Sequence, residues 1–480
     1  MTRLRITGAD HMAMQAHLFR PDHDEHAAIV LAGVRRRAGE TILLGREVHL
    51  LTEQEFPPGQ YGYRQLSPAV LARLGNRAAD ERLALISCHS HPGATTRTGL
   101  SADDLAGHKR VFPHLLDIVD GAPVAGIAFG TSAAAGEVWF PGGEVASLDA
   151  VEVVGPRLQR LAPEPPPGAG RLDERFDRQA RMFGTDGQHV LRGMSVGVVG
   201  LGGGGSMIAE QLAHLGVGRI IAIDFDIVKA HNLSRIVGAT ERDAKRRRKK
   251  VDVAQALVAR IDPTVEFEPV DGDIADAAVA ARLLDCDFIF LATDTITSRL
   301  VANAITQSHF IPMVQIGAKV DLRPDKAIES IYAAVRPVFP GRGCLHCAGL
   351  ISPEALQLEA ASNEERTAQN YLGLPEVIDP SVITLNGVAA STATNLMLMS
   401  AVGLADEALL AHRLFDARTG SWLELKDQRQ AECLWCGADH QSRFGRGEDA
   451  DLPVRYSATQ ETIRSTSLLR RMRTWVARWQ

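Results

Sequence analysis

The stretch Met194–Gly205 reads MSVGVVGLGGGG, an apolar run that ends in a cluster of glycines. Its first half predicts a buried β-strand, and Ser206–Leu215 after it has the apolar spacing of a helix. The glycines satisfy the pattern GxGxxG, which lets the backbone approach phosphate oxygens at a helix N-terminus. The candidate phosphate-binding residues are Gly200, Gly202, Gly203 and Gly205. The stretch therefore predicts a strand, a tight turn and a helix that together bind a nucleotide.

An acidic residue follows the glycines at the spacing that ribose recognition requires. Asp224 closes the next apolar strand, Arg219–Ile223, about 20 residues after the glycine turn. Strands and helices alternate from Arg171 onward, which predicts a doubly wound α/β domain with a parallel sheet. Taken alone, these features fit NAD, FAD or ATP.

Polar residues farther along the chain favour a triphosphate over a dinucleotide. Asn232, Arg235 and Lys250 follow the second strand, and a diphosphate would not need so many cations. Asp294 follows the apolar strand Asp287–Leu291, at the strand end where open α/β sheets bind ligands. A carboxylate there suits a Mg²⁺ ion that bridges phosphates. The sequence thus predicts ATP and Mg²⁺, and an NAD(P)-dependent oxidoreductase with structural zinc is the alternative.

Residues from Arg171 to about 440 resemble the ThiF/MoeB superfamily, the adenylating domain of ubiquitin-activating enzymes. Besides the glycine run, the resemblance rests on the segments RFDRQ (175–179), DFDIVKAHNLSR (224–235), KVDVA (250–254) and the pair Thr293-Asp294. The implied reaction joins the C-terminal carboxylate of a Gly-Gly-ending, ubiquitin-like protein to AMP from ATP. A homodimer through this domain is also implied.

The resemblance assigns roles to single residues. It implies that Asp224, with Asp226 beside it, lies at the ribose and that Asp294 holds Mg²⁺. It implies that Arg178 reaches across the dimer interface into the partner's ATP site. The residues that it places at the phosphates are Asn232, Arg235 and Lys250.

Four of the six cysteines form two CxxC pairs, which suit a closed structural zinc site. The pairs are Cys344 with Cys347 and Cys433 with Cys436. Their separation is far longer than in a zinc ribbon, so the ion would join distant segments. Relatives in the superfamily carry the same pairs. The loop from about 351 to 380, where ubiquitin-activating relatives carry a thioester cysteine, contains none, so we expect adenylation without a stable thioester there.

A second site is predicted near the N-terminus, where the chain reads CHSHP (88–92) and then SADD (101–104). His89, His91 and Asp104 are the ligand set of a catalytic zinc that leaves one position open for water. An alternative is structural, because Ser101 and Asp104 also fit a helix capping box.

The N-terminal segment resembles the JAMM (JAB/MPN) metalloproteases, whose signature is HxHP, a short loop and SxxD, with an upstream glutamate. The resemblance implies a zinc peptidase or isopeptidase in an α+β domain. It makes Glu25 the general base and Ser101 a support for the tetrahedral intermediate. The loop after Pro92 is about two residues longer than usual, and alanines replace the first family glycines, so Glu47 is the alternative base.

Length and composition set the domain division. At 480 residues the chain is too long for one core. We predict a JAMM domain over 1–150, a Pro/Gly-rich linker over 151–170, an adenylation domain over 171–445 and a basic tail over 446–480. A net charge of −6 argues against nucleic acid as the partner. No apolar run is long enough to span a bilayer, and the N-terminus lacks a secretory signal, so a cytoplasmic enzyme is expected.

Together the two resemblances predict a two-headed enzyme for a ubiquitin-like modifier. One head would trim the modifier or release it from conjugates, and the other would adenylate its C-terminal glycine. A separate conjugating enzyme or a sulfur carrier pathway would then take the product.

Overall fold

The computed structural model describes residues 1–56, 66–165, 173–323, 327–360 and 381–456. The N-terminal part forms a sheet of nine strands, and the C-terminal part forms a sheet of eight. Each sheet mixes parallel and antiparallel neighbours. The predicted order, an α+β domain followed by a doubly wound α/β domain, agrees with this element order.

The first sheet has the strand order β7-β6-β5-β4-β2-β3-β1-β8-β9. Its strands are β1 Thr2–Thr7, β2 Ala27–Arg37, β3 Glu40–Leu50, β4 Ala84–Ser90, β5 Val124–Phe129, β6 Ala134–Trp139, β7 Val145–Ser147, β8 Ala150–Val154 and β9 Gln159–Leu161. Its helices are α1 Gly8–Leu18, α2 Pro68–Glu81 and α3 Ala102–Ile118. The predicted hairpin is confirmed as β2 and β3, which pair antiparallel.

Residues 151–161, which we predicted to open the linker, belong to this sheet instead. β8 runs parallel to β1, and β9 pairs antiparallel with β8. The apolar residues of β8 lie beside the N-terminal strand β1. The Pro-rich sequence that follows β8 did not indicate this long-range pairing. The Pro/Gly-rich residues 166–172 lie outside the described residues.

The second sheet has the order β12-β11-β10-β13-β14-β15-β16-β17. Its strands are β10 Ser195–Val199, β11 Arg219–Ile223, β12 Glu266–Val270, β13 Phe288–Leu291, β14 Met313–Leu322, β15 Ile328–Val338, β16 His412–Asp416 and β17 Ser421–Leu425. The strands from β10 to β14 pair in parallel, as predicted, but the last four are antiparallel neighbours. This half of the sheet is therefore mixed rather than purely parallel.

Helices pack on both faces of the second sheet, and its strands β10, β11 and β13 are buried, whereas the edge strand β17 is exposed. The helices are α4 Asp177–Gly193, α5 Gly203–Leu215, α6 Glu241–Lys245, α7 Lys250–Ile261, α8 Ala277–Ala280, α9 Ile296–His309, α10 Pro353–Ala360 and α11 Ile383–Ala401. One apolar cluster includes Val196, Ile208 and Ala390, and a second, on the other face, includes Ile289 and Val301. Among the described residues, no helix is long and apolar enough to cross a membrane.

The two sheets contact each other through Phe310, which follows α9, and through residues near the end of the described chain. Phe310 and Phe444 pack against Ile42 and Leu44 of β3 in one buried cluster. The first residues of the predicted basic tail also lie here, since Gly447 bridges to Val34. Residues 446–456 are thus part of the packed structure, and 457–480 lie outside the described residues.

Candidate functional site

The predicted zinc ligands of the N-terminal domain converge. His89 lies at the end of β4, His91 follows it, and Asp104 lies in the first turn of α3. The two histidine Nε2 atoms are 3.1 Å apart, and each lies 3.3 or 3.4 Å from an Asp104 oxygen. A tetrahedral zinc ion with bonds of about 2.0–2.1 Å separates its ligand atoms by about 3.3–3.4 Å. These three side chains therefore fit zinc closely.

Glu25 lies in the same cleft as this cluster, and Glu47 does not. A cleft of about 440 Å³ is lined by Glu25, His89 and Asp104 among other residues. Burial raises the pKa of Glu25, which the two nearby histidines oppose. Glu47 is instead paired with Arg77 and with His49, each at 2.7 Å, and does not line this cleft. The position of Glu47 does not favour it as the base.

Ser101 forms the capping box that we considered as the structural alternative. Its backbone N–H and its hydroxyl both donate to Asp104 Oδ2 at 2.7 Å, and the Asp104 N–H donates to Ser101 Oγ. Burial opposes ionisation of Asp104, but hydrogen bonds from His89 and His91 outweigh it and hold its pKa well below the usual range. The capping box and a ligand role for Asp104 are compatible, because Oδ1 and Oδ2 both face the histidines.

The glycine turn between β10 and α5 brings backbone close to backbone. Gly200 has φ +88°, and a Cβ there would lie 2.8 Å from the carbonyl oxygen of Ala292. A Cβ at Gly205 would lie 1.8 Å from the carbonyl oxygen of Gly200. The helix begins at Gly203, three residues before the predicted start, with Gly202 as its N-cap. Only glycine allows this turn to close so tightly.

A cleft of about 730 Å³ opens above this turn and collects most of the predicted ATP-binding residues. The predicted residues that line it are Gly200, Gly202, Gly203, Asp224, Asp226, Asn232, Arg235, Lys250 and Asp294. Gly205 is buried and does not line the cleft. Arg178 lies exposed on α4 and does not line this cleft, so its predicted role across a dimer interface stays a prediction.

Asp224 and Lys250 are connected within the cleft. Asp224 Oδ2 accepts a hydrogen bond from the backbone N–H of Leu201 at 2.7 Å. Lys250 Nζ lies 2.7 Å from Asp226 Oδ2 and 3.4 Å from Asp224 Oδ2. The lysine is therefore held at the edge of the glycine turn, where a phosphate could exchange for its carboxylate partners.

The four CxxC cysteines also converge, and all are buried. Cys344 Sγ lies 3.8 Å from Cys433 Sγ, and Cys347 Sγ lies 3.5 Å from Cys436 Sγ. Tetrahedral zinc with Zn–S bonds of about 2.3 Å requires about 3.8 Å between sulfurs. The predicted set could therefore hold a structural zinc ion. It would fasten the segment after β15 to the segment after β17.

Residues 176–435, more than half of the chain, match the ThiF family. The chain belongs to the ThiF family. The matched region holds the glycine turn, the cleft and three of the four cysteines of the predicted zinc site, and the fourth, Cys436, follows directly after it. The N-terminal sheet lies outside it, and the family match does not bear on the His89 cluster.

Sequence relatives of the ThiF-family region include two proteins named adenylyltransferases and one named an activating enzyme E1. Molybdopterin-synthase adenylyltransferase of Escherichia coli is 32% identical over 189 residues, which cover 37% of this chain and 74% of that protein. The SAMP-activating enzyme E1 of Haloferax volcanii is 32% identical over 189 residues, covering 39% and 64%. Adenylyltransferase and sulfurtransferase MOCS3 of Sus scrofa is 28% identical over 287 residues, covering 58% and 57%. The chain thus spans less than two thirds of the last two proteins.

The cleft of this ThiF-family domain contains residues that the motif analysis missed. Gln315 on β14, Arg336 on β15 and Arg299 on α9 all line it, as does Asn386 on α11. A Cβ at Gly203 would lie 2.2 Å from Asn386 Nδ2, so α11 closes the cleft beside the glycines. The sequence contains one indication of these cleft residues, because the polar Gln315 and Arg336 interrupt otherwise apolar strands.

Proposed function

We propose that the chain is a two-headed enzyme of a ubiquitin-like modifier system. The C-terminal head, residues 171–445, uses Mg-ATP to adenylate the C-terminal glycine of the modifier. The N-terminal head, residues 1–150 with the strands to Leu161, is a JAMM-type zinc peptidase. The observation that carries the proposal is the convergence of Asp224, Lys250 and Asp294 on the glycine turn in a ThiF-family fold.

The cleft residues can place ATP for attack on its α-phosphate. The ribose lies at Asp224, and the phosphates lie along the N-terminus of α5 with Asn232, Arg235 and Lys250. Asp294 supplies the hard oxygen ligand that Mg²⁺ prefers, and the ion neutralises phosphate charge when bound. The modifier's carboxylate then displaces pyrophosphate from the α-phosphorus. The terminal carbonyl of the modifier thereby exchanges a poor leaving group, hydroxide, for a good one, AMP. The chain contributes positioning and charge neutralisation.

Family membership favours adenylyl transfer over the NAD(P)-dependent alternative, which rested on GxGxxG and Asp224 alone. ATP–pyrophosphate exchange tests the proposal. We expect exchange that is stimulated by a small protein ending in Gly-Gly, lost in Asp294→Ala and kept in the exposed control Asp406→Ala. Exchange that persists in Asp294→Ala contradicts the assigned role, and no exchange with any such protein contradicts the activity.

A second activity is supported by the fit of His89, His91 and Asp104 to zinc. When bound, zinc supplies Lewis-acid activation of water in the cleft. Glu25, with its pKa raised by burial, is placed to accept the proton of the attacking water. Ser101 supports the charge that develops on the carbonyl oxygen of the scissile amide, for which its hydroxyl proton turns from Asp104 Oδ2 to that oxygen. The products are a modifier with a free Gly-Gly carboxylate and an amine or peptide.

The two heads suggest one reaction sequence, in which the first produces the carboxylate that the second activates. Removal of the modifier from conjugates uses the same hydrolysis. Cleavage of a precursor modifier, followed by mass spectrometry, is expected to fail with Glu25→Gln and to persist with Glu47→Gln. Equal loss in both variants would contradict Glu25 as the base.

We also propose a homodimer, in which Arg178 completes the partner's ATP site, and a downstream conjugating enzyme or sulfur carrier pathway.

A further inference from the structure

The adenylation cleft contains two arginines outside the set assigned to ATP and Mg²⁺. Arg336 projects from β15, and Arg299 lies one turn into α9. Both line the same cleft as Asp294 and the glycine turn. Both are half-buried, and the charge of Arg299 acts on Arg336. Two guanidinium groups that face one cleft define a region of positive potential.

Arg336 is positioned by a neutral partner. Its Nη1 donates to Gln315 Oε1 at 2.7 Å, and the two residues are directly opposite in the β14–β15 register. Gln315 is 1% exposed, and its amide donates to the carbonyl oxygen of Ile316 at 2.6 Å. Burial and the charge of Arg299 lower the pKa of Arg336 to about 10. An amide oxygen does not neutralise a guanidinium, so an anion bound here would relieve an unfavourable desolvation.

Arg299 retains capacity for a ligand as well. Its Nε is buried and has no hydrogen-bond partner within the part of the chain that the structure describes. The carboxylates that act on it are Asp294 and Glu359. Glu359, however, accepts hydrogen bonds from the backbone N–H groups of Ile296 and Thr297 at 2.5 and 2.9 Å. Asp294 is the proposed Mg²⁺ ligand, so both carboxylates have other functions.

The space in front of this pair is left open by a glycine. A Cβ at Gly317 would lie 3.5 Å from Gln315 Nε2 and 4.0 Å from Arg336 Nη1. At position 317, β14 therefore presents no side chain that would fill the approach to the guanidinium of Arg336. An extended chain terminus could lie along this strand with its end group at the arginines.

We propose that Arg336 and Arg299 bind the C-terminal carboxylate of the protein substrate, with Gln315 as the residue that positions Arg336. The inference rests on the proposed adenylation and names its acyl-substrate site. Adenylation requires a carboxylate to approach the α-phosphate, and the two anions repel each other. Guanidinium groups bind carboxylates through paired, charge-assisted hydrogen bonds and offset this repulsion.

The adenylation step requires no proton transfer to or from either arginine. A carboxylate oxygen forms a bond to the α-phosphorus, and the bond from that phosphorus to the bridging oxygen breaks. Pyrophosphate leaves with the electron pair. The products are the acyl-adenylate and pyrophosphate, and the arginines retain their protons throughout.

Calorimetry on the full chain, loaded with Mg²⁺ and α,β-methylene-ATP, tests the site. The probes are a peptide ending in Gly-Gly with a free carboxylate and the same peptide with a C-terminal amide. We expect the acid to bind more tightly than the amide, and Arg336→Gln to weaken only the acid, by about 10–100-fold. Arg336→Lys is expected to restore part of this preference. Arg413→Gln, on the same sheet at β16, is expected to retain all of it.

Two outcomes would overturn the inference. In one, the nucleotide-loaded wild-type protein binds acid and amide equally, or binds neither. In the other, Arg336→Gln lowers the affinity for the ATP analogue but not for AMP, and the protein still prefers the acid peptide to the amide. That result would assign the arginines to the phosphates that leave as pyrophosphate. Failure of the proposed adenylation is distinguishable, because the wild-type protein would then not bind the nucleotide analogue at all.

Discussion

Arg446 and Glu81, which are 365 residues apart in the sequence, connect the C-terminal segment to the N-terminal domain. Arg446 Nη2 donates to Glu81 Oε2 at 2.9 Å, and Nη1 donates to the Glu81 carbonyl oxygen at 2.7 Å. Only 14% and 15% of the two side chains are exposed. Glu81 ends α2, and Arg446 follows the predicted zinc site by ten residues. The C-terminal segment therefore fastens the N-terminal domain to the ThiF-family domain.

Removal of this contact is expected to weaken the union of the domains. Arg446→Ala leaves a mostly buried carboxylate without its closest cation, so we expect a loss of about 1.5–3 kcal/mol in the free energy of unfolding. The control is Arg36→Ala, whose ion pair with Glu448 is more than a third exposed and contributes about 0–1 kcal/mol. Urea denaturation measures both. Equal effects would show that Arg446 is not a principal contact.

The cysteine site is expected to bind one zinc ion and to fix the same segment. Cys436→Ser removes one of four ligands, so the zinc content should fall by one equivalent. Protease sensitivity after residue 436 should rise, because the chain beyond it loses its anchor. Cys286→Ala is the control, since Cys286 is buried but is not one of the four converging cysteines. Full zinc content in Cys436→Ser would contradict the assignment.

The glycine turn is expected to tolerate no side chain at Gly205. In Gly205→Ala the new methyl group would lie 1.8 Å from the carbonyl oxygen of Gly200, so the turn must shift. We expect ATP affinity to fall by at least about tenfold, which corresponds to about 1.4 kcal/mol. Gly193→Ala is the matched control, because nothing lies within 4 Å of its Cβ. Normal ATP binding by Gly205→Ala would argue against the turn as the phosphate site.

A buried histidine is expected to make stability pH-dependent. Burial lowers the pKa of His309 to about 3, whereas an unfolded histidine titrates near about 6.5. Below about pH 6.5 the unfolded chain binds a proton that the folded chain excludes, so stability falls by up to about 1.4 kcal/mol per pH unit until the folded pKa is reached.

His309→Gln should remove this contribution. Between pH 6.5 and 5 the wild-type protein should lose about 1.6 kcal/mol more stability than the variant. Urea denaturation at several pH values measures the difference. The same pH slope in both proteins would exclude His309 as the source.

The sequence predicted the features that depend on local patterns. The apolar run before Gly200 became β10, the spacing to Asp224 placed that carboxylate at the turn, and the HxH pattern placed His89 and His91 together. In each case a short motif determines backbone geometry directly, so distant contacts are not needed for the prediction.

Features that depend on distant pairing were not predictable in this way. β8 forms a strand because β1 lies beside it, and the sequence near Ala150 does not indicate that pairing. Gln315 and Arg336 lie opposite each other only in the β14–β15 register. Arg446 finds Glu81 only after both domains have formed. Such contacts follow from tertiary packing, which local spacing does not encode.

One mass-spectrometric measurement tests the central claim, that one chain both exposes and activates a Gly-Gly terminus. A precursor of a small Gly-Gly modifier is incubated with Mg-ATP and the wild-type protein, Glu25→Ala or Asp294→Ala. We predict trimmed modifier and its adenylate with the wild-type protein, untrimmed precursor with Glu25→Ala, and trimmed modifier without adenylate with Asp294→Ala. Normal trimming by Glu25→Ala, or adenylate formed by Asp294→Ala, would contradict the account.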